Sequence, residues 1–274
     1  MLIDTHCHLD AAEFDADREE VAAQAKNVGV QMIVIPAVEP KNFEKVMTLS
    51  RQHSHCCYAL GMHPMYVQNA SPSHIKALSE LVEQTLQAEN KLVAIGEIGL
   101  DFFVSQSNQQ ENRETQEYFF AEQLKIARRF DLPVILHVRR AVDEVLKHLR
   151  RTKVRGGIAH AFNGSPQQAQ EFIKLGFKLG FGGAMTYSRA LRIRELAKNL
   201  PLDAIVLETD APDIPPEWLG TKGRNQPQEL AIIAQVLADL RGIPVSQIIE
   251  ITSKNALEIL PNLTALCTPV EVLH

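Results

Sequence analysis

The chain has 274 residues, 45% of them apolar and 22% charged, which is ordinary for a soluble globular protein with a core large enough to need no staples. A formal net charge of −5 argues against a surface that grips nucleic acid by bulk electrostatics, but leaves room for a local cationic site built from divalent metals and a few arginines. The four cysteines, Cys7, Cys56, Cys57 and Cys267, have no C-x-x-C spacing, which disfavours a thiolate zinc knuckle or redox pair and suits a reducing cytoplasm. No basic-then-apolar leader opens the sequence and no apolar run is long enough for a bilayer, so no membrane partner is expected.

The predicted elements alternate along the chain. A strand at Leu2–Ile3 is followed by a helix at Asp15–Val28, a strand at Met32–Val38 by a helix at Pro40–Arg51, and a strand at Cys56–Leu60 by a helix at Ser73–Glu89. Strands at Leu92–Ile95, Pro133–Leu136 and Gly157–Ala159 lead into helices at Arg113–Phe130, Val142–Leu149 and Pro166–Leu175. Strands at Phe177–Phe181 and Ala204–Leu207 precede helices at Ser188–Leu200 and Gln228–Leu240, and a helix at Val245–Ile259 closes the series. Most strands are apolar on both faces, as in a buried parallel sheet. Eight βα units predict an α/β protein with a (β/α)8 TIM barrel, and no Gly-rich phosphate turn after the first strand favours an open doubly wound sheet instead. One domain over 1–260 with a loose tail at 261–274 is expected.

Several of these apolar runs end in a residue that can ligate a metal. His6-Cys7-His8 follows the first run, and two imidazoles at i and i+2 would point to one side of a strand. Alone, H-x-H is as often a surface feature. The fourth run, LVAIGE, ends in Glu97; PVILH ends in His137; GGIAH ends in His160; AIVLETD ends in Asp210. In a closed barrel these ends meet at the C-terminal face, where active sites lie. Four imidazoles and two carboxylates exceed the needs of one tetrahedral ion and suit two divalent ions such as zinc, manganese or magnesium. Glu97, with two oxygens, is the natural bridge and Asp210 the natural proton acceptor from an attacking water.

These segments, with GMHP at 61–64, GEIGLDF at 96–102, HAFNG at 160–164, ETDAP at 208–212, RNQP at 224–227 and TSKNALEIL at 252–260, resemble the TatD family of metal-dependent deoxyribonucleases, and within it the YjjV-like subgroup. The resemblance covers residues 1 to about 260. It implies one ion on His6, His8, Glu97 and Asp210 and a second on Glu97, His137 and His160. It also implies that His63 sits beside the site and touches a substrate phosphate or the leaving group, that Arg139 helps hold the phosphate, and that the substrate is DNA or another phosphodiester. Arg224 is a further candidate phosphate contact, and a monomer or weak homo-oligomer is expected. An amidase or esterase acting on a small molecule or an aminoacyl-tRNA is the alternative, since activated water attacks a carbonyl as readily. A barrel that keeps its ligands only to bind a partner is a third reading. The polar stretch DFFVSQSNQQENR at 101–113 departs from the family pattern and leaves substrate choice open.

Among the remaining residues, Cys7 is expected in the barrel wall, while Asp4 either faces inward or fixes a loop. Asp101 either orients a ligand or caps a segment, and Trp218 either stacks on a base or covers apolar surface. His53, His55, His74, His148 and His274 are read as surface residues.

Overall fold

The computed structural model describes residues 1–88, 91–103 and 109–267. Eight strands, β1 (Leu2–Asp4), β2 (Val30–Pro36), β3 (Cys56–Leu60), β4 (Leu92–Asp101), β5 (Val134–Arg139), β6 (Gly157–Ala159), β7 (Phe177–Phe181) and β8 (Ile205–Leu207), pair in parallel and in sequence order. Helices α1 (Arg18–Asn27), α2 (Phe43–Gln52), α3 (Pro72–Ala88), α4 (Gln109–Arg129), α5 (Val142–Arg151), α6 (Pro166–Lys174), α7 (Leu191–Asn199) and α8 (Leu230–Arg241) occupy the crossovers and the stretch after β8, giving the expected TIM barrel. No single described helix is long and apolar enough to cross a membrane.

Side chains alternate between two cores, as the strand period requires. Leu2, Ile33, Ile35, Tyr58, Leu60 and Leu92 pack outward under the helices. Ile3, Met32, Val34, Cys57, Ala59, Val93, Ile135, Ile158 and Val206 fill the barrel interior. At the N-terminal end of the strands this interior core is continued by Ala256 and Ile259 of α9 (Val245–Ile259) and by Leu260 and Leu263. Side chains from this plug satisfy the strand starts: Ser253 Oγ donates to the Met1 carbonyl (2.6 Å), Asn255 Nδ2 to Ile205 (2.7 Å) and Asn262 Nδ2 to Leu92 (2.8 Å). The first part of the expected tail is therefore ordered: Asn262–Cys267 form a tenth helix, α10, that buries Leu263. One end of the barrel is sealed and the other carries the polar residues.

The first and last strands meet at a seam. Thr5 N–H and Oγ1 donate to the Leu207 carbonyl (3.1 and 3.0 Å), Asp210 N–H to His6 (2.8 Å) and His8 N–H to Ala211 (2.7 Å). Asp4 reinforces it, accepting from Thr209 N–H (2.9 Å) and Thr209 Oγ1 (2.6 Å). Of the two readings of Asp4, the loop-fixing one holds.

Strand β4 is longer than its apolar run predicts. Its register against β5 shifts between Ile95 and Ile98, a bulge that displaces Glu97 from regular pairing, and the ladder then resumes to Asp101 opposite Arg139. Gly99 sits at φ +149°, and a Cβ there would collide with the His137 carbonyl, so glycine alone lets β4 and β5 close beside this bulge.

Candidate metal centre

The end of β1, the β4 bulge, β5 and the turns after β3, β6 and β8 deliver side chains to one point. Glu97 organises it, almost wholly buried, with its two oxygens facing different sets of imidazoles. Oε2 lies 3.3 Å from His6 Nε2 and 3.5 Å from His8 Nε2, and Asp210 Oδ1 lies 3.4 and 3.7 Å from the same two nitrogens. Oε1 lies 2.9 Å from His160 Nε2, 3.0 Å from His137 Nδ1 and 3.5 Å from His63 Nε2. His160 also stacks on His6, with ring centroids 4.0 Å apart, so it borders both sets.

His6 Nε2 and His8 Nε2 are 3.2 Å apart, and His160 Nε2 and His137 Nδ1 3.5 Å apart. With each imidazole proton on its outward nitrogen, the crowded inward nitrogens and carboxylate oxygens all present lone pairs to the same space, an arrangement that cations between them would satisfy. The electrostatics point the same way. Burial works against a proton on His8 and His160, yet Glu97 beside both, with Asp210, lifts them to about 9 and about 10. Burial also raises Glu97, but His63, His160 and His6 around it outweigh this and hold it well below the usual range. His63, farther from compensating charge, is pushed down to about 3 by burial, and His6 is lowered by burial and by His160. The two carboxylates call for positive charge that the imidazoles supply only by protonating, and divalent cations supply the same charge with the imidazoles neutral.

A family model described as TatD related DNase matches residues 3–261. The chain belongs to the TatD family. It is 41% identical over 255 residues, 92% of this chain and 95% of its relative, to the uncharacterized metal-dependent hydrolase YjjV of Escherichia coli K12. It is 35% identical over 268 residues, 96% of this chain and 95% of the other, to deoxyribonuclease TATDN3 of Homo sapiens. The crystal structure of the Escherichia coli YjjV protein, a TatD homolog, superposes with a TM-score of 0.87 at 40% identity, covering 95% of this chain and 98% of that one. This TatD-family chain is accordingly a metal-dependent hydrolase.

All six expected ligands of the TatD-family site come together, with local differences. β1 ends at Asp4, so His6 and His8 stand in the turn beyond it, their rings at 80° rather than stacked on one strand face. Asp210 adopts φ +58°, as do Arg140 (54°) and Ala161 (45°) just after β5 and β6; sharp left-handed turns send the chain away from the mouth immediately past the site residues. His63 faces Glu97 Oε1 beside His137. Arg139 is half exposed at the rim, its guanidinium 3.9 Å from Asp101. Arg224 is engaged elsewhere, forked onto Asp17 (2.6 and 2.8 Å) and bonded to the Glu13 carbonyl (2.8 Å).

Asp101 does both things expected of it: Oδ2 accepts from His137 Nε2 at 3.1 Å, which turns Nδ1 toward Glu97, and Oδ1 accepts from Phe103 N–H at 2.8 Å in the segment that follows. Trp218 is partly exposed and donates its indole N–H to Glu229 (2.7 Å). Cys7 is fully buried in the wall, as expected. Three histidines read as surface residues are buried: His55 bonds the Ala22 carbonyl (3.1 Å), His148 meets Glu117 (3.2 Å) and His53 meets Glu19 (3.4 Å), because helix packing covers them. His274 and residues 104–108 of the departing stretch lie outside the described residues.

Three supporting residues escaped sequence reasoning. Gln116 and Gln123, two turns apart on α4, clamp strand ends: Gln116 bonds Asp101 N–H (2.8 Å) and carbonyl (3.1 Å), and Gln123 bonds those of Met62 (2.6 and 3.1 Å). Buried glutamines at i and i+7 on an apolar helix face were the available signal. Glu208 lies under His160, accepts from Ala161 N–H (2.5 Å), and is raised by burial to about 8. Gly180 makes room for it, since a Cβ there would overlap its carboxylate.

Proposed function

We propose that this chain, as one domain over 1–260, is a phosphodiesterase acting on DNA with two divalent cations, zinc, manganese or magnesium. The observation that carries the reading is the division of Glu97: each oxygen faces its own set of donors. His6, His8 and Asp210 would hold one cation with Oε2, and His137, His160 and His63 the other with Oε1. Three groups of ligand-type side chains here are compact enough for an ion, and all draw on these seven residues. When bound, the cations polarise a phosphoryl oxygen and acidify a water.

The chain's own residues do the rest. Asp210 accepts the proton of the attacking water at Oδ1 or Oδ2; burial raises its carboxyl, opposed by His160 and His8, which makes it the stronger base. Asp101 fixes His137 through Nε2–H and so selects Nδ1, on the Glu97 side, as the lone pair that would hold a cation. Arg139, at the rim, holds a substrate phosphate. The deoxyribonuclease name of the human relative supports DNA as substrate, and free, mostly buried cysteines fit a reducing cytoplasm.

Purified protein is expected to carry two cations per chain by elemental analysis and to cleave DNA. Removing them with a chelator should abolish cleavage and lower the melting temperature, since cations at a hundredfold excess over Kd stabilise by about 2.7 kcal/mol. Cleavage of amides or lactones in preference to phosphodiesters would overturn the assignment. Asp101→Ala should weaken cation binding about 10–100-fold, read by calorimetric titration, through loss of the acceptor that orients His137.

A further inference from the structure

Strand β5 ends at Arg139, and the following residue, Arg140, has φ +54°. In a continuing strand these two side chains would leave on opposite faces. The left-handed backbone at Arg140, uncommon for a residue with a Cβ, breaks that alternation. Both guanidinium groups consequently reach one ring: Arg139 Cζ lies 3.7 Å, and Arg140 Cζ 4.4 Å, from the centroid of Phe103.

The ring is held in place. Phe103 N–H donates to Asp101 Oδ1 (2.8 Å), while Asp101 Oδ2 faces His137 (3.1 Å) and Arg139 Nη1 (3.9 Å). The arginine pair is thus tied through one carboxylate to the metal centre. Phe103 is 43% exposed, so the two guanidinium groups that flank it are open to a ligand from solvent. Among the described residues Arg140 has no ion pair, and Asp101 is the only ion-pair partner of Arg139. Two like charges held against one ring repel each other, and an anion that both can reach relieves that repulsion. Guanidinium forks match phosphate oxygens.

We propose that Arg139 and Arg140, positioned by Phe103, form a subsite for the phosphate next to the scissile linkage, so that the favoured substrate is a chain of phosphodiesters. This rests on the phosphodiesterase reading above and specifies what that centre selects. Phe103 acts here as a positioning residue.

The test compares wild type, Arg140→Gln, Phe103→Leu and Phe103→Trp on three substrates with cations present. These are a short oligodeoxynucleotide, the same oligonucleotide with uncharged methylphosphonates flanking the scissile linkage, and thymidine 5′-(p-nitrophenyl phosphate), which has one linkage. Arg140→Gln should raise KM for the charged oligonucleotide about tenfold with kcat within about twofold, the scale of one charge-assisted contact. The slope of log KM against log salt should fall by about 0.7, one phosphate contact on a single strand. Phe103→Leu should reproduce this and Phe103→Trp restore it, and both penalties should vanish on the other two substrates. Equal losses on all three substrates, or an unchanged KM for the oligonucleotide, would overturn the subsite. Failure of the wild type to cleave any of the three overturns the phosphodiesterase reading, and the subsite with it.

Discussion

Glu97→Gln is expected to lower kcat by more than about a thousandfold, roughly 4 kcal/mol of lost barrier reduction, while leaving the barrel folded. The two oxygens of Glu97 face separate donor sets, with contacts of 3.3 and 3.5 Å on one side and 2.9, 3.0 and 3.5 Å on the other. Glutamine has the same shape, so the bulge in β4 should survive. Its amide, however, carries no charge and presents N–H groups to one of the two sets, where they oppose a cation. Elemental analysis should then find at most one cation per chain, with an unchanged circular dichroism spectrum. Two retained cations and a kcat within tenfold of wild type would show that Glu97 does not link the two sets.

Asp4→Ala should be strongly destabilising, on the scale of truncating a buried core side chain, although Asp4 does not face the cations. Asp4 is fully buried and accepts from Thr209 N–H, Thr209 Oγ1 and, at 3.3 Å, His6 N–H. Alanine leaves these donors buried without an acceptor, at about 1–3 kcal/mol for each group left unsatisfied. A loss of about 3 kcal/mol, measured by urea denaturation of cation-free protein, is expected. Asp4→Asn keeps one acceptor and should lose less, with a characteristic pH dependence. Burial lifts the Asp4 carboxyl from 3.8 to about 7. A raised carboxyl stabilises the fold fully below its unfolded value and loses that contribution as pH rises through the folded one. The gap between wild type and Asp4→Asn should therefore be widest in acid and narrow toward pH 8.

The strand-end ligands were legible because each is a polar residue closing an apolar run, a pattern that burial of a parallel sheet makes conspicuous. His137, His160 and Asp210 need only that rule, together with the common face of a barrel. Glu97 obeys it in sequence but not in structure, since β4 continues to Asp101; an irregularity in pairing has no signature in a string of apolar letters. His63 was expected beside the site from its motif, but its 3.5 Å approach to Glu97 Oε1 was not, because the reach of the turn after β3 depends on the hold of Gln123 on Met62. Arg224 looked free for phosphate in a polar loop, whereas Asp17, 207 residues away, takes both ends of its guanidinium. Such partnerships are set by chain packing over long separations, and one sequence does not display them.

The seam between the first and last strands has a consequence for how the protein is made. His6 and His8 are synthesised well ahead of Thr209, 205 residues after the Asp4 that anchors it, and of the adjoining Asp210. At about 5–20 residues per second, roughly 10–40 s pass between the two. Through that interval the nascent chain lacks the strand that completes its barrel and the carboxylate that completes its centre. Any hydrolysis that depends on Asp210 therefore cannot begin before β8 has been made and has closed against β1.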